Sequence, residues 1–245
     1  MIEEEFSVIK KNGQRIAGKV FIPQKDNRRY PTVIFAHGFN ENYRNLQHHG
    51  CGFAEAGIVC IFFDFCGGGI DSLSDGKLSE MTVLTEIEDL EAVISTVSEF
   101  DYVDADRLFL QGESMGGFVS AFVAAQMTES IKSLILWYPA FVIPDDSKRR
   151  LASGDNMCFG LEICPDFNKA AADIDIYSTI SKYTGPVKII HGDQDVVVSI
   201  DYSRRAVDVY SDALLTVIPG AGHGFDEEDS KKAREESIEF IIQHV

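Results

Sequence analysis

The chain has 245 residues, enough for one sizeable α/β domain with an insertion and short for two independent domains. Its 45% hydrophobic and 25% charged residues argue against disorder, and no apolar run approaches the roughly 20 residues needed to cross a bilayer. A formal net charge of −17 argues against nucleic acid or an anionic membrane as partner, because phosphates would meet net repulsion.

The chain opens Met1-Ile2-Glu3-Glu4-Glu5, acidic where an export signal would be basic and then apolar, so a cytoplasmic location is expected. Runs rich in β-branched and aromatic residues at 6–10 and 16–22 flank Lys11-Asn12-Gly13, an Asn-Gly turn that predicts an antiparallel hairpin at a sheet edge. A strand is predicted at 32–36, ending in His37-Gly38-Phe39-Asn40. Another, at 59–65, runs into Cys66-Gly67-Gly68-Gly69. A dinucleotide fingerprint would open directly into a helix, whereas these glycines lead into a polar loop, so they read as a strand-end turn and not as a phosphate cradle.

Val83, Ile87, Leu90, Ile94 and Val97 form one apolar stripe of helical period, a helix laid on a sheet. Strands at 107–111, 132–138, 187–191 and 214–218 alternate with helices at 118–127, 202–210 and 233–242. This is the pattern of an α/β protein with a mostly parallel eight-stranded sheet flanked by helices. Residues 140–186 interrupt the rhythm and are expected to form a small cap over the C-terminal edge of a core made of 1–139 and 187–245. The five cysteines are odd in number and lack metal-finger spacing, as expected of reduced thiols.

The segment Gly112-Glu113-Ser114-Met115-Gly116-Gly117 carries the most chemistry. A strand ending in G-x-S-x-G with a helix following at once is the context of a nucleophile elbow. The serine of such an elbow occupies strained backbone angles, and glycines beside it let neighbouring backbone close in. Ser114 would stand at a helix N-terminus, with the Met115 amide as one oxyanion donor. A serine hydroxyl needs a base, and His223, in a glycine-rich loop after the last strand, fits better than His37, His48, His49, His191 or His244. Asp195, in His191-Gly192-Asp193-Gln194-Asp195, is the expected acid, with Asp193 as the alternative. The Phe39 amide is the expected second oxyanion donor, and His37 and His191 are expected to brace their loops.

With HGF after the third strand, FDF before the glycines, Ser74-Asp75-Gly76-Lys77 then Met81-Thr82-Val83, the elbow, HGDQD and GAGHGF, the chain resembles an α/β-hydrolase. Within that superfamily it resembles the bacterial cinnamoyl/feruloyl esterases over nearly its whole length. The resemblance implies a serine carboxylesterase with an acyl-enzyme intermediate, no cofactor and a small-molecule ester as partner, a hydroxycinnamate ester being the more specific case. It also implies that the cap covers the acyl pocket and offers a polar group to the substrate's phenolic hydroxyl, for which Asp146 is the nearest matching position. A homodimer stays open, as do a monoacylglycerol lipase, a thioesterase or an acyl-peptidase-like hydrolase with the same triad, and a non-catalytic binding protein on this scaffold.

Overall fold

Period-two alternation decides the architecture. Val33 and Phe35 pack on one side of the third strand and Ile34 and Ala36 on the other, all buried, so the sheet must be covered on both faces. The computed structural model, which describes residues 1–24 and 26–245, meets that demand with helices on each side.

The main strands are β1 (Ile2–Ile9), β2 (Arg15–Ile22), β3 (Tyr30–Ala36), β4 (Val59–Phe63), β5 (Val103–Glu113) and β6 (Ser133–Trp137). A two-residue hairpin, β7 (Met157–Cys158) and β8 (Leu161–Glu162), precedes β9 (Val187–Gly192) and β10 (Ala213–Ile218). The helices are α1 (Tyr43–Leu46), α2 (Gly50–Glu55), α3 (Val83–Val97), α4 (Ser114–Gln126), α5 (Ile143–Ser153), α6 (Pro165–Ala172), α7 (Ile176–Ile180), α8 (Ile200–Val209) and α9 (Glu227–Gln243). Among the described residues the main sheet has eight strands in the order β1-β2-β4-β3-β5-β6-β9-β10, antiparallel at β1-β2 and β2-β4 and parallel from there on.

One layer sets Ile34, Ile61, Phe63, Leu110, Leu136 and Ile189 against α3 and α4. The other sets Phe35, Phe62, Phe109, Ile135 and Trp137 against Phe53 of α2 and Phe240 of α9, with Phe35 and Phe62 stacked at 4.4 Å. No helix among the described residues is long and apolar enough to cross a membrane.

Several boundaries differ from the sequence reading for identifiable reasons. β1 starts at Ile2, four residues before the predicted 6, because its glutamates pair along β2, with Glu3 on Lys19 at 2.6 Å. β4 stops two residues short of the predicted 65: the Phe65 N–H leaves the ladder and donates to His37 Nε2 at 3.1 Å. α9 starts at Glu227, six residues before the predicted 233, capped by Asp226 and with Glu227, Glu228 and Asp229 placed on the positive end of the helix dipole.

Between β6 and β9 the chain builds α5, the β7-β8 hairpin, α6 and α7 over the C-terminal end of β5. α5 begins at Ile143-Pro144, with Asp145 and Asp146 in its first turn, and ends on Gly154 in the left-handed region, φ 71°.

Two buried carboxylates fasten the loops after β1 and β4. Asp64 accepts the Tyr43 N–H through Oδ1 and the Leu73 N–H through Oδ2, each at 2.6 Å, tying the start of α1 to the loop beyond the glycine turn. Asp89 of α3 is fully buried, pairs with Lys10 and accepts the Cys66 N–H at 2.6 Å. Removing one member of a buried pair orphans the other. Lys10→Met is therefore expected to lower stability by about 3 kcal/mol, and the double variant Lys10→Met, Asp89→Leu to recover much of it, both read from urea unfolding.

Candidate active site

Four strand ends converge. β3 runs into His37-Gly38-Phe39, β5 into Ser114, β9 into Asp195 two residues past the intervening Asp193, and β10 into His223. The crevice outside the carboxyl ends of a parallel sheet is where α/β folds place ligands.

Ser114 has φ 50°, a left-handed conformation that a side chain adopts at a cost of about 1–3 kcal/mol. The glycines around it are required by contact. A Cβ on Gly116 would lie 2.2 Å from the Ala36 carbonyl oxygen, and one on Gly112 would lie 2.3 Å from the Gly116 oxygen. The Ser114 carbonyl accepts the Ala140 N–H at 2.8 Å, which holds the turn against the segment leaving β6.

The Ser114 Oγ lies 2.9 Å from His223 Nε2, and His223 Nδ1 lies 2.7 Å from Asp195 Oδ2. A carboxylate only accepts, so Nδ1–H is the donor there and Nε2 is left as acceptor for the serine proton. Burial raises the Asp195 carboxyl, but hydrogen bonds from His191, His223 and the Val198 amide outweigh it and hold the group well below the ordinary range. Its Oδ1 also takes the Val197 and Val198 N–H groups at 2.9 and 2.8 Å. His191 completes the brace: Nδ1 accepts from Ser203 at 2.7 Å, and Nε2–H is shared between Asp195 at 3.1 Å and the Val198 carbonyl at 3.0 Å. Asp193, the alternative acid, turns away and accepts the Gly220 N–H at 2.7 Å.

The remaining histidines sit elsewhere. His37 is buried, with Nδ1–H on the Gly38 carbonyl at 2.8 Å and Nε2 accepting from Phe65, and burial lowers it below the ordinary histidine range. His49 packs edge-on to Trp137, where burial pushes it down to about 3, and His244 bonds the Phe240 carbonyl.

Phe39 and Met115 line the same pocket as Ser114. Met115 lies in the first turn of α4, whose first N–H groups have no intrahelical acceptor, and a Cβ placed on Gly38 of the β3 loop would lie 3.4 Å from the Ser114 Cβ. The glycine turn after β4 supports that loop. The Asn40 N–H bonds the Gly68 carbonyl at 2.9 Å, and a Cβ on Gly69 would strike the Glu41 carbonyl at 2.4 Å. Cys66 is buried beside it, and burial pushes its thiol up to about 12, which disfavours the thiolate.

The pocket holds about 500 Å³ of empty space including its mouth. Its walls are largely apolar: Val142, Ile143, Phe159, Ile163 and Phe167, all from the 140–186 segment. Phe159 is on the β7-β8 turn, 72% exposed, with its ring 6.1 Å from that of Phe39. Asp146 and Arg150 of α5 are the charged side chains of its lining. Asp146 is ion-paired with Arg149 and lies 3.9 Å from Arg150, which reaches Cys158 Sγ at 3.5 Å.

The sequence reading missed Glu113, Tyr138 and Arg150. Glu113 is the unread variable position of the elbow motif, and Tyr138 reads as an ordinary apolar strand end. Arg150 lies on α5, a helix whose leading Pro144, acidic first turn and closing Gly154 were signals available in the sequence.

Two outcomes test this geometry. Gly116→Ala forces α4 off β3, and is expected to lower both the unfolding midpoint and activity towards a p-nitrophenyl ester. The lowered Asp195 carboxyl gives stability that is present above its ordinary value of 3.8 and is lost as pH falls through the folded value. The stability gap between the native chain and Asp195→Asn, measured by urea unfolding, is thus expected to be largest near neutral pH and to shrink below about pH 4.

Comparison with known proteins places the chain among α/β hydrolases. A monoacylglycerol lipase of Mycolicibacterium smegmatis is 24% identical, with 95% of each chain covered. The α/β hydrolase domain-containing protein 17B of Xenopus tropicalis is 28% identical, over 86% of this chain and 66% of that one. Among solved structures, Est1E of Butyrivibrio proteoclasticus with ferulic acid bound superposes with a TM-score of 0.84 at 25% identity, covering 97% of this chain and 98% of that chain. Residues 28–166 match the family described as serine aminopeptidase, S33. With its sheet order, its nucleophile elbow and this match, the chain belongs to that family of α/β hydrolases.

Proposed function

We propose that the protein is a serine carboxylesterase for small carboxylic esters, with Ser114 as nucleophile, His223 as general base and Asp195 as the acid that orients it. One observation carries the reading: an unbroken line from Ser114 Oγ through His223 to Asp195, at 2.9 and 2.7 Å, at the mouth of an apolar pocket.

On this reading His223 Nε2 takes the serine proton as Oγ attacks the ester carbonyl, and Asp195 stabilises the imidazolium that forms. The N–H groups of Phe39 and Met115 receive the developing oxyanion, an arrangement that removal of one donor typically weakens by about 10²–10³-fold. The imidazolium then protonates the departing alcohol. His223 next activates a water molecule that hydrolyses the acyl-enzyme and returns the proton to Ser114.

The acyl group enters between Phe39, Ile143, Phe159 and Phe167, walls that suit an aliphatic or aromatic chain with no charge. Asp146 in the pocket lining offers an acceptor for a phenolic hydroxyl, which supports a hydroxycinnamate ester as the specific substrate, in line with the ferulic acid held by Est1E. A monoacylglycerol is the second reading, supported by the exposed Phe159 at the pocket mouth and by the lipase relative. An aminopeptidase reading is less well supported. Such an enzyme needs an uncompensated carboxylate for the substrate's amine, and the one in this pocket, Asp146, is already paired with Arg149.

Ser114→Ala is expected to abolish fluorophosphonate labelling and to lower kcat on the order of 10⁶-fold; labelling equal to that of the native chain would overturn the enzyme reading. A panel of kcat/KM values on acetyl, butyryl and longer acyl esters, methyl ferulate and a monoacylglycerol then ranks the substrates. Turnover of methyl ferulate that falls in Asp146→Ala while butyrate turnover does not is the result expected for the hydroxycinnamate assignment.

A further inference from the structure

Glu113 is the residue before the nucleophile, and nothing in the triad accounts for it. Its side chain is buried, 6% exposed for the whole residue. Oε2 accepts the Tyr138 hydroxyl at 2.8 Å, and Oε1 has no hydrogen-bond partner among the described residues. A carboxylate buried with half its lone pairs unmet carries a large desolvation penalty, so the neutral acid is the form this environment favours.

Tyr138 links that carboxyl to the base. It leaves β6 in the left-handed region, φ 36°, and its N–H bonds the Ile190 carbonyl at 2.8 Å, which fixes the backbone between β6 and β9. Its ring meets the His223 imidazole edge-to-face at 4.8 Å and the Phe225 ring at 4.7 Å. One hydroxyl bond therefore sets the wall on which the imidazole rests. The other charged neighbour is Glu41, from the loop after β3, whose carboxylate accepts the Gly38 N–H at 3.0 Å beside Phe39. Asp195 faces Tyr138 from the loop after β9, and α4 brings no charged side chain.

We infer that Glu113 is a positioning residue for the reaction: through the Tyr138 hydroxyl it sets the His223 ring, and a negative charge on its buried carboxyl switches turnover off. The inference rests on the hydrolase reading above. A proton lost from Glu113 leaves a buried negative charge one residue from the nucleophile, where the tetrahedral oxyanion develops. Like charges in that space penalise the transition state more than the bound ester, so the loss appears in kcat with KM little changed. Burial, then the Glu41 charge, raise the Glu113 carboxyl to about 8, against the Tyr138 hydrogen bond that lowers it, so the switch falls in an accessible range.

The test is the pH profile of kcat and KM for p-nitrophenyl butyrate between pH 6 and 9.5, with Ser114→Ala as blank. The native chain is expected to lose kcat about tenfold or more through a limb near pH 8. Glu113→Gln keeps an acceptor for Tyr138 and cannot ionise, so its limb disappears. Glu113→Leu removes the acceptor and lowers kcat at pH 7, a loss that Gln does not share. Two further variants carry opposite signs and leave Glu113 in place: Tyr138→Phe moves the limb up and Glu41→Gln moves it down. A limb unmoved in all the variants that fold, as judged by circular dichroism, overturns the role of Glu113. A native chain inactive on the ester and unlabelled by fluorophosphonate overturns the hydrolase reading instead.

Discussion

A backbone contact between α4 and β3 sets the geometry on which the rest depends. Gly116 lies so close to the Ala36 and His37 carbonyls that a methyl group there would come within 2.2 and 2.4 Å of them. That approach draws the first turn of the helix onto the end of a neighbouring strand and forces Ser114 into left-handed angles. The strain is sustained because the packed sheet fixes both partners, with β3 and β5 hydrogen-bonded side by side up to Ala36 and Gly112. The same approach brings the start of α4, with its unpaired N–H groups, to the loop that carries Phe39.

Around that contact the polar groups are arranged in braces. Asp195 is held by His191, which Ser203 of α8 orients in turn. The Phe39 loop is held by Gly68 and Asn40 on one side and by Glu41 on the other. These hydrogen bonds hold the side chains of the candidate site in place in the free protein, which is the condition that electrostatic stabilisation without reorganisation requires. The 140–186 segment contributes the opposite chemistry, a largely apolar wall with an ion-paired Asp146.

Much of this was legible in the sequence because it is local. The elbow is a strand, a serine between glycines and a helix within a few residues. The Asn-Gly turn, the stripe on α3 and the alternation on β3 follow from backbone periodicity. The choice of His223 over five other histidines also rested on local context, a glycine-rich loop after the last strand. The misread boundaries are those set by partners distant in sequence: β1 extends through three glutamates because β2 is there to pair with, and β4 ends early because His37 takes the Phe65 amide. The helix α5 was overlooked although its caps were in view, because its polar composition lacks an apolar stripe.

The sequence by itself determined the fold class, the G-x-S-x-G motif between a strand and a helix, and a Ser, Asp, His order along the chain in which the acid was one of two aspartates, since each is written in short-range pattern. Only the tertiary structure decided which aspartate meets His223, which way His191 faces, and what becomes of Glu113. Asp193 and Asp195 differ by one turn of a loop that the sequence does not orient, and Glu113 meets Tyr138 across 25 residues of chain. Burial and charge at such positions are properties of the assembled core, where side chains from separate strand ends share a space closed to water.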